Sequence, residues 1–152
     1  MNVFFEFHKV VKGLQARKVK YAVIGGVAMA FHSYARFTKD IDILTAASEL
    51  DAIGEILEKE GYRRSGEPWS FKSRLTLHRF WKIDDGDEMV VDILVSGCAR
   101  HDRIIDEALE AFSKHTGVVF VAKKSDLIWL KEQRNSPLDK ADIEALKHDG
   151  RE

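Results

Sequence analysis

The stretch Arg36-Phe37-Thr38-Lys39-Asp40-Ile41-Asp42-Ile43-Leu44 decides how the chain is read. From Asp40 onward, carboxylate and aliphatic residues alternate with a period of two, which predicts a strand. Side chains at i and i+2 of a strand share a face. Ile41 and Ile43 therefore point into a core, and Asp40 and Asp42 project together from the opposite side. Two like charges so close repel and disturb each other's pKa unless something positive lies between them. A divalent cation meets that need, because hard cations prefer carboxylate oxygens. Taken alone, Asp-x-Asp is also a common way for a strand to begin.

A third carboxylate stands further along. Asp92 interrupts the apolar run Met89-Val90-Val91-Asp92-Ile93-Leu94-Val95, where an ionised group is costly unless paired or metal-bound. The acidic turn Asp84-Asp85-Gly86-Asp87 lies between residues 75–83 and 89–95, and an Asp-Gly pair between two such runs predicts a hairpin. A strand of an antiparallel hairpin laid beside the Asp40 strand would bring Asp92 to the same surface. Three carboxylates there could hold two metals ~3.5–4 Å apart, the spacing used for in-line phosphoryl transfer. The plainer reading of Asp92 is an edge-strand residue reaching solvent.

Upstream, Tyr21 to Ile24 is a short apolar run stopped by Gly25-Gly26 and followed by the helical pattern of residues 27–34. Backbone N–H groups at such a helix start bind phosphate, and the missing side chains permit close approach. A simple tight turn is the competing reading. Neither a G-x-G-x-x-G fingerprint nor a Walker A loop is present.

The remaining pattern predicts helices over residues 3–18 (Phe4, Val11 and Leu14 on one face, Phe5 and Val10 beside it), 48–60 (Ser48 as N-cap, Gly61 as stop), 102–113, 125–134 and 137–147. Residues 118–121 read as a short strand. Ser136-Pro137 with Asp139 has capping-box spacing. The expected fold is α/β (α+β), a small mixed β-sheet flanked by helices. It forms one domain over 1–152, with a core of about 20–122 and a C-terminal helical pair of about 124–148.

Of 152 residues, 45% are hydrophobic, enough for a core, and the net charge of -1 gives no global field toward nucleic acid or an anionic membrane. One cysteine, Cys98, excludes an internal disulfide framework and a Cys-rich zinc site. No signal peptide is read at the N-terminus, and no segment approaches the ~20 apolar residues that span a bilayer. A cytoplasmic protein is the expectation.

Together, Ile24-Gly25-Gly26-Val27-Ala28, the Asp40-Ile41-Asp42 strand and Val91-Asp92-Ile93-Leu94 resemble the DNA polymerase β-type nucleotidyltransferase superfamily. Within it the chain is most similar to the small prokaryotic branch that includes AbiEii-like toxin nucleotidyltransferases. The resemblance implies a nucleotidyltransferase fold, with Asp40, Asp42 and Asp92 as catalytic and metal-binding residues for Mg²⁺ (or Mn²⁺). It further implies that Gly25 and Gly26 cradle the phosphates of an NTP, and that a nucleoside monophosphate passes to a hydroxyl with release of pyrophosphate. The acceptor stays open among RNA, protein and a small molecule, as does a toxin–antitoxin role with a partner protein encoded nearby. Arg36 and Lys39, just before the carboxylates, and Lys131 are candidate triphosphate contacts; solvated loop or helix cations are the alternative. The AbiEii-like branch carries an Arg-x-Lys-Asp-x-x-Asp-like segment. Here Asp139-Lys140-Ala141-Asp142 is kept, but Leu138 stands where a Lys would fall, and Arg134 with Asp139 or Asp142 reads as a structural ion pair.

His32, His78 and His101 lack metal-ligand spacing, and the acidic turn lacks EF-hand spacing. Trp69 is a candidate for base stacking. A stripe of Lys123, Lys124, Lys131 and Arg134 would suit RNA. The rival to an enzyme is a catalytically silent member acting as a regulatory or antitoxin partner.

Overall fold

The computed structural model describes residues 1–148. The chain runs α1 (Val3–Ala16), β1 (Tyr21–Ile24), α2 (Gly25–Phe31), β2 (Asp40–Thr45), a 3₁₀ turn (Ala47–Glu49) and α3 (Leu50–Lys59). Then follow β3 (Arg63–Arg64), β4 (Trp69–Ser70), β5 (Thr76–Asp84), β6 (Asp87–Val95), α4 (Ala99–Asp106), β7 (Leu109–Ser113), β8 (Gly117–Val121), α5 (Lys124–Arg134) and α6 (Pro137–His148). The strands form one mixed sheet in the order β3-β5-β6-β2-β1-β8-β7, with β4 pairing on β5. This is the mixed sheet with flanking helices that the sequence pattern implies.

The alternation in β2 works as its composition demands. Ile41 and Ile43 are fully buried, while Asp40 and Asp42 stay partly accessible. The buried side packs with Val10, Val11 and Leu14 of α1 and Ile53 and Leu57 of α3. α1 crosses α3 at Gly13, where a Cβ would come 2.4 Å from Ile56 Cγ2. The α1 stripe differs from expectation: Phe4 and Phe5 are 46% and 58% exposed, and Phe7 turns inward with Val10, Val11 and Leu14. Phe7 and Leu14 are seven residues apart, so two helical turns keep that stripe in line.

Two other expectations need correction. The helix expected over 102–113 ends at Asp106, and Leu109–Ser113 is a strand hairpinned to β8. Gly117, at φ +79, makes the turn back. The helix expected from Ser48 begins at Leu50, after the 3₁₀ turn, and carries no side-chain cap. Gly61 does end α3, at φ +92. The C-terminal pair forms as expected, and Leu127 and Leu146 join the main core. Ser136 and Asp139 make the capping box: the Ser136 backbone N–H donates to Asp139 Oδ2 at 2.9 Å, and the Asp139 N–H donates to Ser136 Oγ at 3.1 Å.

Candidate active site

β6 is antiparallel to β5, yet it pairs with β2 in parallel, in the register Asp40↔Val90, Asp42↔Asp92 and Leu44↔Leu94. Asp92 therefore reaches Asp42 by a parallel ladder. Residues directly across a ladder share a face, so Asp42 and Asp92 are neighbours, with Asp40 two residues before Asp42 on the same face. The neighbourhood shows in the electrostatics. Burial, then the Asp92 and Asp40 charges, push the Asp42 carboxyl up from 3.8 to about 7. Burial and then Asp92 also raise Asp40.

Gly25 abuts this cluster. Its φ is +69, and a Cβ there would meet Asp42 Oδ2 at 2.1 Å, so both conformation and space demand glycine. Ile24 pairs with Asp42 across the antiparallel β1–β2 ladder, which fixes the glycine turn against the carboxylate. At Gly26 a Cβ would meet Thr38 Oγ1 at 2.6 Å. The first turn of α2 has no side-chain cap, so its leading N–H groups are left for another acceptor.

The three carboxylates are not equivalent. Asp92 is 6% exposed and bidentate with Arg79: Nε donates to Oδ1 at 2.8 Å and Nη2 to Oδ2 at 3.0 Å. Asp40 and Asp42 have no hydrogen-bond or ion-pair partner for their carboxylates among the described residues. No three of His, Cys, Asp or Glu are grouped as a ready metal cage among those residues, and Arg79 holds both oxygens of Asp92. The donor set nevertheless fits a hard divalent cation: two unpartnered carboxylates, a third across the ladder, and a raised pKa that positive charge would relieve.

Arg79 carries no motif of its own in the sequence, and its place opposite Asp92 follows from the hairpin turn. Asp85 and Gly86 both have positive φ, as a two-residue type I′ turn requires. That turn pairs Asp84 with Asp87 and, counting back, Arg79 with Asp92.

The other candidates are placed as follows. Arg36 is bidentate to Asp142, both bonds 2.8 Å, and Lys131 Nζ donates to the same carboxylate at 2.9 Å. Lys131 lines the cavity at the carboxylates; Arg36 does not. Lys39 stays exposed, where its charge lowers the Asp40 pKa against the effect of burial. Arg134 is bidentate to Asp139 at 2.8 and 2.7 Å. Burial alone would raise Asp139, but Arg134 and Ser136 hold it at about 2. The kept aspartates of this segment thus anchor α6 to α5 and to the loop before β2. Trp69 is 65% exposed on β4 and lies outside the cavity lining, whereas Phe71 forms part of it.

The sequence pattern of the aminoglycoside-2''-adenylyltransferase family matches residues 6–114, which include β1, the glycine turn, β2 and the β5–β6 hairpin. The chain belongs to the aminoglycoside-2''-adenylyltransferase family. Membership places it among nucleotidyltransferases, within the superfamily its motifs resemble; the AbiEii-like branch gains no support from the match. Solved structures share the nucleotidyltransferase fold. ANT(2'')-Ia, in complex with adenylyl-2''-tobramycin, superposes with a TM-score of 0.65 at 17% identity, over 93% of this chain and 86% of that one. A candidate nucleotidyltransferase from Thermotoga maritima gives 0.61 at 18% identity, over 98% and 94%. The lincosamide antibiotic adenylyltransferase LnuA, lincomycin-bound, gives 0.57 at 17% identity, over 88% and 89%. No curated protein matches the sequence. Among the described residues no helix is long and apolar enough to cross a membrane.

Proposed function

We propose that this chain is a divalent-metal-dependent adenylyltransferase that moves AMP from ATP to a hydroxyl of a small molecule, releasing pyrophosphate. The observation that carries the reading is the Asp42–Asp92 pair across the parallel ladder, with Asp40 beside it and two of the three carboxylates lacking a hydrogen-bonded or ion-paired partner among the described residues. Asp40 and Asp42 would hold the Mg²⁺ or Mn²⁺, joined by Asp92 once Arg79 lets go of it. The bound metal supplies charge neutralisation for the triphosphate and a more acidic acceptor hydroxyl. Asp92 accepts the hydroxyl proton, and its bond to Arg79 sets when it is available. The uncapped N–H groups at Gly25 and Gly26 would donate to phosphate oxygens, with Arg36 beside Gly26 and Lys131 in the cavity lining as the nearby cations. Positioning and preset charge do most of the chemistry.

ATP as donor and a small hydroxyl compound as acceptor follow the family's name and the adenylyl-2''-tobramycin complex of ANT(2'')-Ia. An RNA acceptor, as a toxin of a toxin–antitoxin pair would use, gains little from the basic stripe. Lys123 is paired with Glu107, Lys131 with Asp142 and Arg134 with Asp139, and Lys124 is also engaged. We read the chain as one domain, acting in the cytoplasm, where ATP and Mg²⁺ are supplied.

A second reading, a catalytically silent regulatory or antitoxin partner, is favoured by one feature: Arg79 already neutralises Asp92. Incubation of the purified protein with α-labelled ATP, Mg²⁺ and a panel of hydroxyl compounds separates the two. Label transfer and pyrophosphate release that vanish in Asp42→Asn establish the enzyme. Nucleotide binding without transfer to any acceptor supports the silent partner.

A further inference from the structure

A cavity of about 360 Å³ opens beside Asp92, at the lower end of the range for small-molecule sites. Its position follows from the register. Leu94 stands two residues beyond Asp92 on β6, and Leu77 lies opposite Leu94 on β5, next to Arg79 on the same face. α5 closes the cavity from above with Leu127 and Leu130, and Phe71 and Leu75 close it from the loop before β5. The wall next to the carboxylate that would take the acceptor proton is therefore apolar.

The charges at this cavity do not suit a polycation. Four cations, Lys72, Arg79, Lys131 and Arg134, face three carboxylates, Asp42, Asp92 and Asp139. Asp92 and Asp139 each have both oxygens held by an arginine. Asp42 is the remaining carboxylate, and it belongs to the proposed metal site. A ligand carrying several ammonium groups would find no unspent carboxylate here to pair with, since Arg79 and Arg134 already hold Asp92 and Asp139, and would meet the exposed Lys72. Ammonium groups desolvated without a carboxylate partner are costly, which works against such a ligand.

We propose that the acceptor of this chain is a hydroxylated amphiphile with an apolar face and at most one amine, rather than a polyamine sugar of the kind the family is named for. The proposal rests on the nucleotidyl-transfer reading and assigns its acceptor class. Phe71, Leu77 and Leu94 receive the apolar face, which leaves a hydroxyl directed at Asp92.

Titration calorimetry tests this on the whole protein, loaded with Mg²⁺ and a non-hydrolysable ATP analogue. The probes are lincomycin (hydroxylated, one amine, an alkyl arm) and tobramycin (hydroxylated, several amines). Lincomycin is expected to bind more tightly than tobramycin by about tenfold or more. The double variant Phe71→Ala with Leu77→Ala is expected to lose about tenfold in lincomycin affinity and keep its affinity for the ATP analogue. Phe71→Ala alone, at a 39% exposed position, gives the same comparison should the double variant not fold. Equal or tighter binding of tobramycin overturns the proposal, as does binding of neither compound. A loss of ATP-analogue affinity in the variants also overturns it, because the apolar wall would then belong to the nucleotide. Failure of the wild type to bind the ATP analogue at all sinks the underlying transferase reading, a separate result.

Discussion

Replacing Asp42 by Asn should stabilise the metal-free protein at alkaline pH. In the wild type the Asp42 carboxyl is pushed up from 3.8 to about 7, first by burial and then by Asp92 and Asp40. A raised carboxyl pKa means the folded state holds a proton that the unfolded chain has already released. Stability therefore falls as pH rises from about 4 to 7, and above 7 the whole loss has been taken. At ~1.4 kcal/mol per pH unit, the displacement bounds the loss at roughly 4 kcal/mol. Asp42 is partly accessible, and solvent screening reduces this to about 2 kcal/mol. For a chain of this size that is a shift of roughly 4–8 °C in Tm. The assay is thermal unfolding followed by circular dichroism in EDTA, wild type against Asp42→Asn, at pH 5 and pH 8. The variant should melt higher at pH 8, with the gap shrinking at pH 5. Added Mg²⁺ should raise the wild type and leave the variant little changed. A variant that melts at or below the wild type at pH 8 would refute the like-charge argument.

Arg79→Ala removes the only bonded counter-charge of Asp92 among the described residues; with Asp92 buried and Arg79 half-exposed, a loss of roughly 2–3 kcal/mol in urea unfolding is expected, partly recovered by Mn²⁺. Gly25→Ala forces a Cβ into Asp42 at φ +69, so a loss of about 2 kcal/mol or more together with loss of ATP binding is expected in calorimetry. Asp142→Asn deprives Arg36 and the buried Lys131 of their shared partner; unfolding should show a cost of about 3 kcal/mol, and limited proteolysis should cut first between α5 and α6.

Much of this was legible in the sequence because the relevant physics is local. A period of two in Asp40-Ile41-Asp42-Ile43 is enough to place the isoleucines inside and the carboxylates outside, and the structure does so. Ser136, Pro137 and Asp139 spell out a helix start, and the helix starts there. What escaped depends on pairing between distant segments. Nothing local says that β6 lies parallel to β2, yet that ladder is what joins Asp42 to Asp92. Leu109–Ser113 continues a helical apolar pattern, but hydrogen bonding to β8 wins it for the sheet. Arg36 and Lys131 carry the charge expected of phosphate ligands, and that both also bond to Asp142 depends on α6 folding back, which no spacing announces.

The central claim is that Asp40, Asp42 and Asp92 share a divalent cation with the triphosphate of a nucleotide. Anomalous diffraction at the manganese edge, from crystals grown with Mn²⁺ and a non-hydrolysable ATP analogue, tests it most directly. A manganese peak bound to Asp42 and at least one of the other two carboxylates, with Arg79 moved off Asp92, is the expected result. A nucleotide bound with no metal at Asp42, or with Arg79 still clamped on Asp92 and the metal elsewhere, would contradict it.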